Sequence, residues 1–195
     1  MSITIAATML LAVAVLGYIW WLELPRSWKN KPFQMRFCPG CRAKLVMGEV
    51  DGKQRLHCSC CSFVHWDNPK PVAITLIPMG EGFVMIRRLR NPRAGKIALP
   101  GGYVEQKESP EAGAIREALE ETGLVIEIDR KLDVIMPPGV NEHLHFFLAK
   151  PALGTPIAGD DASDVMVIKK DAVPIDDVAF PTHRKIIEDW LKETA

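Results

Sequence analysis

The sequence predicts an α/β domain with a mixed β-sheet over residues 71–195, preceded by a small cysteine module and an apolar amino-terminal helix. Strand-like runs alternate with two helical segments after residue 71, two C-x2-C pairs precede them, and the chain opens with a charge-free stretch. With 195 residues, 48% hydrophobic and 25% charged, the chain suits one medium domain with small appendages. This composition excludes a disordered or collagen-like protein.

The zero net charge conceals a gradient along the chain. Residues 25–98 carry 14 basic and 4 acidic side chains, whereas residues 99–195 carry 10 basic and 19 acidic ones. The basic half is suited to an anionic partner. The surplus carboxylates of the acidic half need a metal, a cationic substrate or solvent around them.

The first predicted element is a transmembrane helix over residues 3–22. This run holds 20 residues without a charge, 17 of them apolar, and at about 1.5 Å per residue it covers roughly 30 Å. A cleaved signal peptide is disfavoured because no basic residue precedes the run, which ends in the interfacial aromatics Tyr18, Trp20 and Trp21. Basic residues follow the run, beginning with Arg26, so the positive-inside rule predicts a single-pass membrane protein whose remaining chain is cytoplasmic.

The second predicted element is a zinc ribbon over residues 38–61. The spacing C-x2-C-x16-C-x2-C supplies four thiolates for one structural, tetrahedral Zn2+, namely Cys38, Cys41, Cys58 and Cys61. A disulfide framework is the alternative, and it is disfavoured in the cytoplasm. Cys60, which lies inside the second C-x2-C pair, is not expected to be a zinc ligand. A closed four-sulfur site has no open position for a substrate, so the chemistry is expected elsewhere.

The α/β domain is predicted to open with a strand at Val72 to Ile77, whose hairpin partner is Phe83 to Ile86. A helix is expected to begin near Ser109, which can cap it, with Pro110 in its first turn. It is expected to end at Gly123, which suits the left-handed position after the last helical residue. Further strands are predicted at residues 124–128, 143–149 and 165–168. The composition of residues 150–159 predicts a linker, and the helical spacing of apolar residues predicts a closing amphipathic helix at residues 182–193.

Three glutamates of the capped helix, Glu117, Glu120 and Glu121, stand at positions i, i+3 and i+4 and therefore share one face. On the helix alone, a solvated acidic face explains such a cluster equally well. Oxygen ligands on a rigid helix suit Mg2+ or Mn2+, which would relieve the repulsion among them. A loop at Gly101 can bring a backbone carbonyl close to the same cations, and Arg116 can hold a glutamate through a bidentate pair.

The surroundings of these glutamates resemble the Nudix box, G-x5-E-x7-R-E-U-x-E-E-x-G-U, in which U is a bulky aliphatic residue. All seven fixed positions match, namely Gly102, Glu108, Arg116, Glu117, Glu120, Glu121 and Gly123, and chance supplies such a match about once in 10^8 registers. Ala118 departs from the usual larger aliphatic residue, which concerns helix packing and not the acidic face. The resemblance covers nearly all of residues 71–195. It implies a Nudix α/β/α sandwich and a phosphoanhydride hydrolase with Glu117, Glu120 and Glu121 as ligands of Mg2+ or Mn2+. Glu105 and Glu108 of the preceding loop are weaker candidates for the same role, beside the carbonyl of Gly101.

The segment Pro138 to Ala149 resembles that of ADP-ribose pyrophosphatases, and zinc-ribbon members that hydrolyse ADP-ribose or FAD are similar in layout. The S-Q-P-W-type motif of zinc-ribbon NADH pyrophosphatases is absent. The resemblance therefore implies a nucleotide sugar or a dinucleotide as substrate. The late stretch Gly159 to Asp164 offers only aspartates where ADP-ribose enzymes often place a glutamate, so the general base is unassigned.

A basic loop between the first strands and the box carries Arg87, Arg88 and Arg90, which could meet a diphosphate as it approaches the metals. Arg87 and Arg88 are the candidate substrate contacts. An ordinary basic surface loop explains these residues equally well.

Two other classes of function stay open, a non-catalytic membrane-anchored nucleotide sensor and a zinc-ribbon nucleic-acid-binding protein. The intact glutamates disfavour the sensor. Only Trp28, Phe33 and Phe37 interleave with the basic residues of segment 26–61, so no nucleic acid is expected as a partner. The membrane, through the amino-terminal helix, and a second copy in a homodimer are the partners that remain compatible with the sequence.

Overall fold

The computed structural model describes residues 35–159 and 161–194 and divides between Asp67 and Asn68 into two compact units. The predicted transmembrane helix over residues 3–22 lies outside the described residues. Within the described part of the chain, no helix is long and apolar enough to cross a membrane.

The first unit is a small antiparallel sheet in the order β1-β2-β3, formed by Leu45–Val50, Lys53–Cys58 and Val64–His65. Asp51 and Gly52 form the two-residue turn between β1 and β2, and both have positive φ, 52° and 72°. The buried core of this unit consists of Cys38, Leu45 and Cys58. Because so little apolar surface is buried, a unit of this size needs a cross-link such as a metal ion.

The second unit contains two sheets. Its described residues, 68–159 and 161–194, form the strands β4 (Lys70–Leu76), β5 (Pro78–Met79), β6 (Gly82–Arg88), β7 (Ile97–Ala98), β8 (Gly101–Tyr103), β9 (Ile128–Ile135), β10 (Glu142–Ala149) and β11 (Ala162–Lys169). One sheet has the order β8-β4-β10-β9, with β4 and β10 parallel and the other pairs antiparallel. The other sheet has the order β11-β6-β5, and β7 also pairs with β6. The predicted mixed sheet is confirmed.

Two helices, α1 (Pro110–Thr122) and α2 (Pro181–Glu193), cover opposite faces of the first sheet. Successive residues of a strand point to opposite faces of the sheet, so neighbouring residues of β4 pack against different helices. Ala73 packs with Ala114 of α1, whereas Ile74 belongs to the core that contains Ile187 and Trp190 of α2. The second unit is therefore an α/β/α sandwich, as the resemblance of its sequence implies.

The predicted ends of α1 are confirmed. The Ser109 hydroxyl accepts a hydrogen bond from the N–H of Ala112 at 3.1 Å, and Pro110 is the first helical residue. At the other end, Gly123 adopts a left-handed conformation with φ 69°. A side-chain cap such as that of Ser109 stabilises a helix by about 1 kcal/mol, and it fixes the residue at which α1 begins.

The predicted hairpin between Val72–Ile77 and Phe83–Ile86 is wrong in its first strand. β4 pairs with β8 and β10, and the short β5 is the antiparallel partner of β6 across the turn. Only Ile77 keeps a link, because its carbonyl accepts the N–H of Val84 at 2.9 Å. The turn between β5 and β6 determines only the pairing of these two adjacent strands. The chain passes from the first sheet to the second between β4 and β5, so β4 does not take part in the hairpin.

Two further expectations need correction. Leu124 and Ile126 of the predicted strand 124–128 are buried, but the strand begins only at Ile128 because the preceding residues lack a strand partner.

The predicted linker over residues 150–159 is irregular, but it is not a free linker. The N–H of Ile157 donates to the carbonyl of Thr122 at 2.8 Å, so this segment is fastened to the end of α1.

Candidate active site

The acidic face of α1 lines a cavity of about 520 Å³. The three predicted metal ligands, Glu117, Glu120 and Glu121, all border it. Arg90, Gly159 and Asp161 complete the lining. The structure therefore brings the predicted carboxylates together and adds a fourth carboxylate and a guanidinium from outside the box.

Arg116 connects the carboxylates beside this cavity. Its guanidinium donates to Glu117 and Glu120, both at 2.8 Å, and to the carbonyl of Tyr103 at 3.0 Å. It also forms a bidentate pair with Glu108, at 2.7 Å and 3.2 Å. The pair with Arg116 lowers the pKa of Glu108, and the same contacts raise the pKa of Arg116. Arg116 thus fixes the orientation of two predicted ligands, as the sequence indicates.

Glu121 is the most deeply buried carboxylate of the group, with 7% of its surface exposed. It accepts a hydrogen bond from the N–H of Gly101 at 2.8 Å. Burial, together with the charges of Glu117 and Asp161, raises the pKa of Glu121 to about 8 against the lowering effect of the Gly101 N–H. Burial also raises the pKa of Glu117. Buried carboxylates that face one another fit a divalent cation, which would compensate both burial and repulsion.

Glycines provide the space around these side chains. A Cβ on Gly102 would lie 2.5 Å from a carboxylate oxygen of Glu117, and a Cβ on Gly159 would overlap the carbonyl oxygen of Glu120. Gly101 has φ 155° and lies against the backbone of Ala73. Its N–H is committed to Glu121, and the metal-ligand role of its carbonyl stays a prediction.

The three arginines of the basic loop occupy different places. Arg87 donates to Asp177 at 3.2 Å, away from the cavity, and Arg88 donates to the carbonyl of Pro92 at 3.0 Å. Neither lines the cavity, although the charge of Arg88 acts on the buried carboxylate of α1. Arg90 lines it and pairs with Asp161 at 3.2 Å. The substrate roles of Arg87 and Arg88 stay predictions.

The sequence places Arg90 among the other arginines of the basic loop and does not single out Asp161. Asp161 reaches the cavity because the preceding segment is hydrogen-bonded to the end of α1, where the N–H of Gly159 donates to the carbonyl of Glu121 at 3.1 Å. The late aspartate-rich stretch was the available signal, but the sequence does not show which aspartate faces the glutamates.

The first unit holds the four predicted thiols in one cluster. The sulfurs of Cys38, Cys41, Cys58 and Cys61 all lie within 4.8 Å of one another. The N–H of Cys60 donates to the sulfur of Cys58 at 3.4 Å and lowers the pKa of Cys58 to about 6. Tetrahedral zinc with bonds of about 2.3 Å places its sulfurs about 3.8 Å apart, so this donor set fits Zn2+. Cys60 lies outside the cluster, as expected.

Fold and cavity together define a class, an α/β/α sandwich in which one helix presents a cluster of carboxylates to a cavity. Residues 68–193 match the family described as NUDIX domain, and the chain belongs to the Nudix family. Hydrolases of this family, ADP-ribose pyrophosphatases among them, act on phosphoric anhydride bonds.

Several relatives are similar to the chain. It is 34% identical over 121 residues to an ADP-ribose pyrophosphatase of Methanocaldococcus jannaschii, a match covering 60% of this chain and 70% of the relative. It is 34% identical over 104 residues to an NAD-capped RNA hydrolase of Caenorhabditis elegans, a match covering 52% of this chain and 27% of that longer protein. The crystal structure of a NUDIX hydrolase from Nitrosomonas europaea is 26% identical, with a TM-score of 0.77, covering 82% of this chain and 92% of the other.

Proposed function

We propose that the chain is a divalent-metal-dependent pyrophosphohydrolase that cleaves the diphosphate of a nucleoside diphosphate linked to another group, with ADP-ribose or FAD as the type of substrate. The observation that carries this proposal is the convergence of Glu117, Glu120, Glu121 and Asp161 on one cavity beside Arg90. The name of the archaeal relative supports ADP-ribose.

In this proposal Glu117, Glu120 and Glu121 hold Mg2+ or Mn2+, together with the carbonyl of Gly101. The bound ion supplies polarisation of a phosphoryl oxygen and a water of lowered pKa. Arg116 keeps the carboxylates in their working orientation through the hydrogen bonds described above.

Arg90 is the cation in the cavity wall that can meet the diphosphate, and it would exchange its pair with Asp161 for phosphate oxygens. Asp161 is then released from its ion pair inside the cavity. A carboxylate freed in this position can accept the proton of the attacking water, which makes Asp161 the candidate general base.

NAD-type substrates form a second candidate. The chain is similar to NAD-capped RNA hydrolases of Caenorhabditis elegans and Vibrio cholerae, at 34% and 28% identity. The absence of the S-Q-P-W-type motif of zinc-ribbon NADH pyrophosphatases argues against an NAD-type substrate. A free dinucleotide and a capped RNA both contain the diphosphate that the cavity would receive, so both belong in a substrate panel.

The test is incubation of the full chain with Mg2+ and separately with ADP-ribose, FAD, NADH, NAD-capped RNA and nucleoside triphosphates, followed by separation of the products. ADP-ribose should yield AMP and ribose 5-phosphate, and Glu120→Gln is the matched control. Nucleotide binding without turnover would instead support the sensor, and salt-dependent RNA binding without turnover would support the nucleic-acid module.

We further propose that the thiol cluster binds one structural Zn2+ and that the protein is anchored in the membrane by residues 3–22 with its catalytic domain in the cytoplasm. The clustered sulfurs support the zinc site. The length and flanking charges of the apolar run support the anchor. A homodimer stays an expectation of the sequence.

A further inference from the structure

A buried histidine on α2 is hydrogen-bonded to the backbone that leads into the candidate active site. His183 is 6% exposed and packs against the rings of Phe146 and Phe180, with centroid distances of 5.5 Å and 5.1 Å. Its Nδ1 accepts the N–H of Leu99 at 3.2 Å. A ring nitrogen that accepts a hydrogen bond carries no proton, so the ring is neutral and its proton is on Nε2.

The residues after Leu99 carry this contact to the glutamates. The carbonyl of Pro100 accepts the N–H of Thr75 at 2.9 Å, and the N–H of Gly101 donates to Glu121 at 2.8 Å. One three-residue segment is therefore bonded to α2, to the central strand β4 and to the buried carboxylate of α1. Its position depends on all three contacts.

We infer that His183 is a positioning residue for Glu121, acting through the backbone from Leu99 to Gly101. This inference rests on the proposed function, in which Glu121 holds a divalent cation. Without the acceptor on His183, the buried N–H of Leu99 has to find another partner, and the segment shifts to provide one. The Gly101 N–H moves with it and no longer fixes the carboxylate of Glu121.

The alternative role for His183 is packing between two aromatic rings. His183→Phe keeps an aromatic ring there and removes the acceptor. His183→Asn gives up the ring but places its Oδ1 close to the position of Nδ1, so it restores the acceptor. Ile187→Val is the matched control, since it removes a buried methyl group one turn along α2, where Ile187 is 0% exposed, and leaves Nδ1 of His183 in place as the acceptor for Leu99.

The experiment measures Mn2+ binding to the full chain without substrate, from the electron paramagnetic resonance signal of free Mn2+. Binding that disappears in Glu120→Gln is assigned to the site. We expect His183→Phe to weaken this binding about tenfold, the lower end for residues that orient metal ligands. We expect His183→Asn to recover most of the affinity, and Ile187→Val to keep the wild-type affinity.

Hydrolysis of ADP-ribose supplies a second readout. His183→Phe should raise the Mg2+ concentration for half-maximal activity while kcat at saturating Mg2+ stays near that of the wild type. A packing role would lower the amount of folded protein and leave the Mg2+ dependence of the folded fraction unchanged.

A third readout needs no variant. Titration of the wild type with Mg2+ should shift the Nδ1 nitrogen resonance of His183 with the same midpoint as the amide resonance of Gly101. An unchanged His183 resonance, or equal Mn2+ affinity in His183→Phe and wild type, would overturn the inference while leaving the proposed function standing. A wild-type chain that binds no Mn2+ would overturn both.

Discussion

Replacement of Arg116 by lysine tests how the carboxylates beside the cavity are held. The substitution keeps the positive charge but removes the planar fork, which makes five hydrogen bonds to Glu108, Glu117, Glu120 and the carbonyl of Tyr103. A lysine can point at one or two of these acceptors and cannot form the bidentate pair with Glu108.

The size of the effect follows from the hydrogen bonds that a lysine cannot make. Hydrogen bonds to charged groups contribute about 1.5 to 3 kcal/mol each. The side chains of Arg116, Glu108 and Glu117 are 24%, 17% and 15% exposed, whereas that of Glu120 is 56% exposed and screened by solvent. We expect the variant to lack two of the well-buried bonds, with partial compensation by water, and its free energy of unfolding without metal to fall by about 2 to 3 kcal/mol.

The assay is urea denaturation in buffer without Mg2+, followed by tryptophan fluorescence, and it is repeated with saturating Mg2+. The decrease should be smaller with Mg2+, because the cation then balances part of the charge of Glu117. Arg130→Lys is the control, since Arg130 forms a surface pair with Glu193 that should contribute less than about 1 kcal/mol. Equal decreases in the two variants would refute the idea that the fork of Arg116 organises the site.

Four other predictions address separate features. Glu120→Gln should keep the fold and lose most turnover because a ligand carboxylate is missing, and unchanged kcat at saturating Mg2+ would remove Glu120 from the site. Elemental analysis of the reduced protein should find about one zinc per chain, lost with Cys38→Ser and retained with Cys60→Ser; no zinc in the wild type would end the ribbon assignment. Burial lowers the pKa of His183 from 6.5 to about 3, so between pH 7 and pH 5 the unfolded chain binds a proton that the folded chain does not. Over this range the free energy of unfolding should fall by about 2 kcal/mol more in the wild type than in His183→Asn. Parallel pH profiles of the two proteins in denaturant titrations would contradict this. Residues 3–22 should remain uncleaved with the carboxyl terminus in the cytoplasm, which a carboxyl-terminal reporter active only outside would disprove.

The sequence predicted best what is encoded locally. Ser109, Pro110 and Gly123 mark the ends of α1 through their own backbone and capping preferences, and these preferences act within one helical turn. The shared face of Glu117 and Glu121 follows from the helical period alone. Each C-x2-C turn is also a local feature, and the structure brings the two predicted turns together in one cluster.

The features that the sequence did not reveal depend on contacts between distant segments. The parallel pairing of β4 with β10 joins Val72 to Leu144, and no local signal encodes it. The place of Asp161 follows from hydrogen bonds between the irregular segment 150–159 and α1. His183 is a lone histidine in an amphipathic helix, and only the folded chain shows that its Nδ1 meets Leu99.

The direction of α1 has an electrostatic consequence of its own. A helix dipole leaves about half a negative charge at the carboxyl end, and α1 presents Glu120 and Glu121 there with no basic residue in its last turn. The N–H groups of Ile157 and Gly159 donate to the final carbonyls of the helix and offset part of this partial charge. The partial charge that remains on the helix end is negative, and it lies beside Glu120 and Glu121. The backbone of α1 thus attracts cations to the cavity before any side chain has coordinated one, and the attraction should weaken as ionic strength rises.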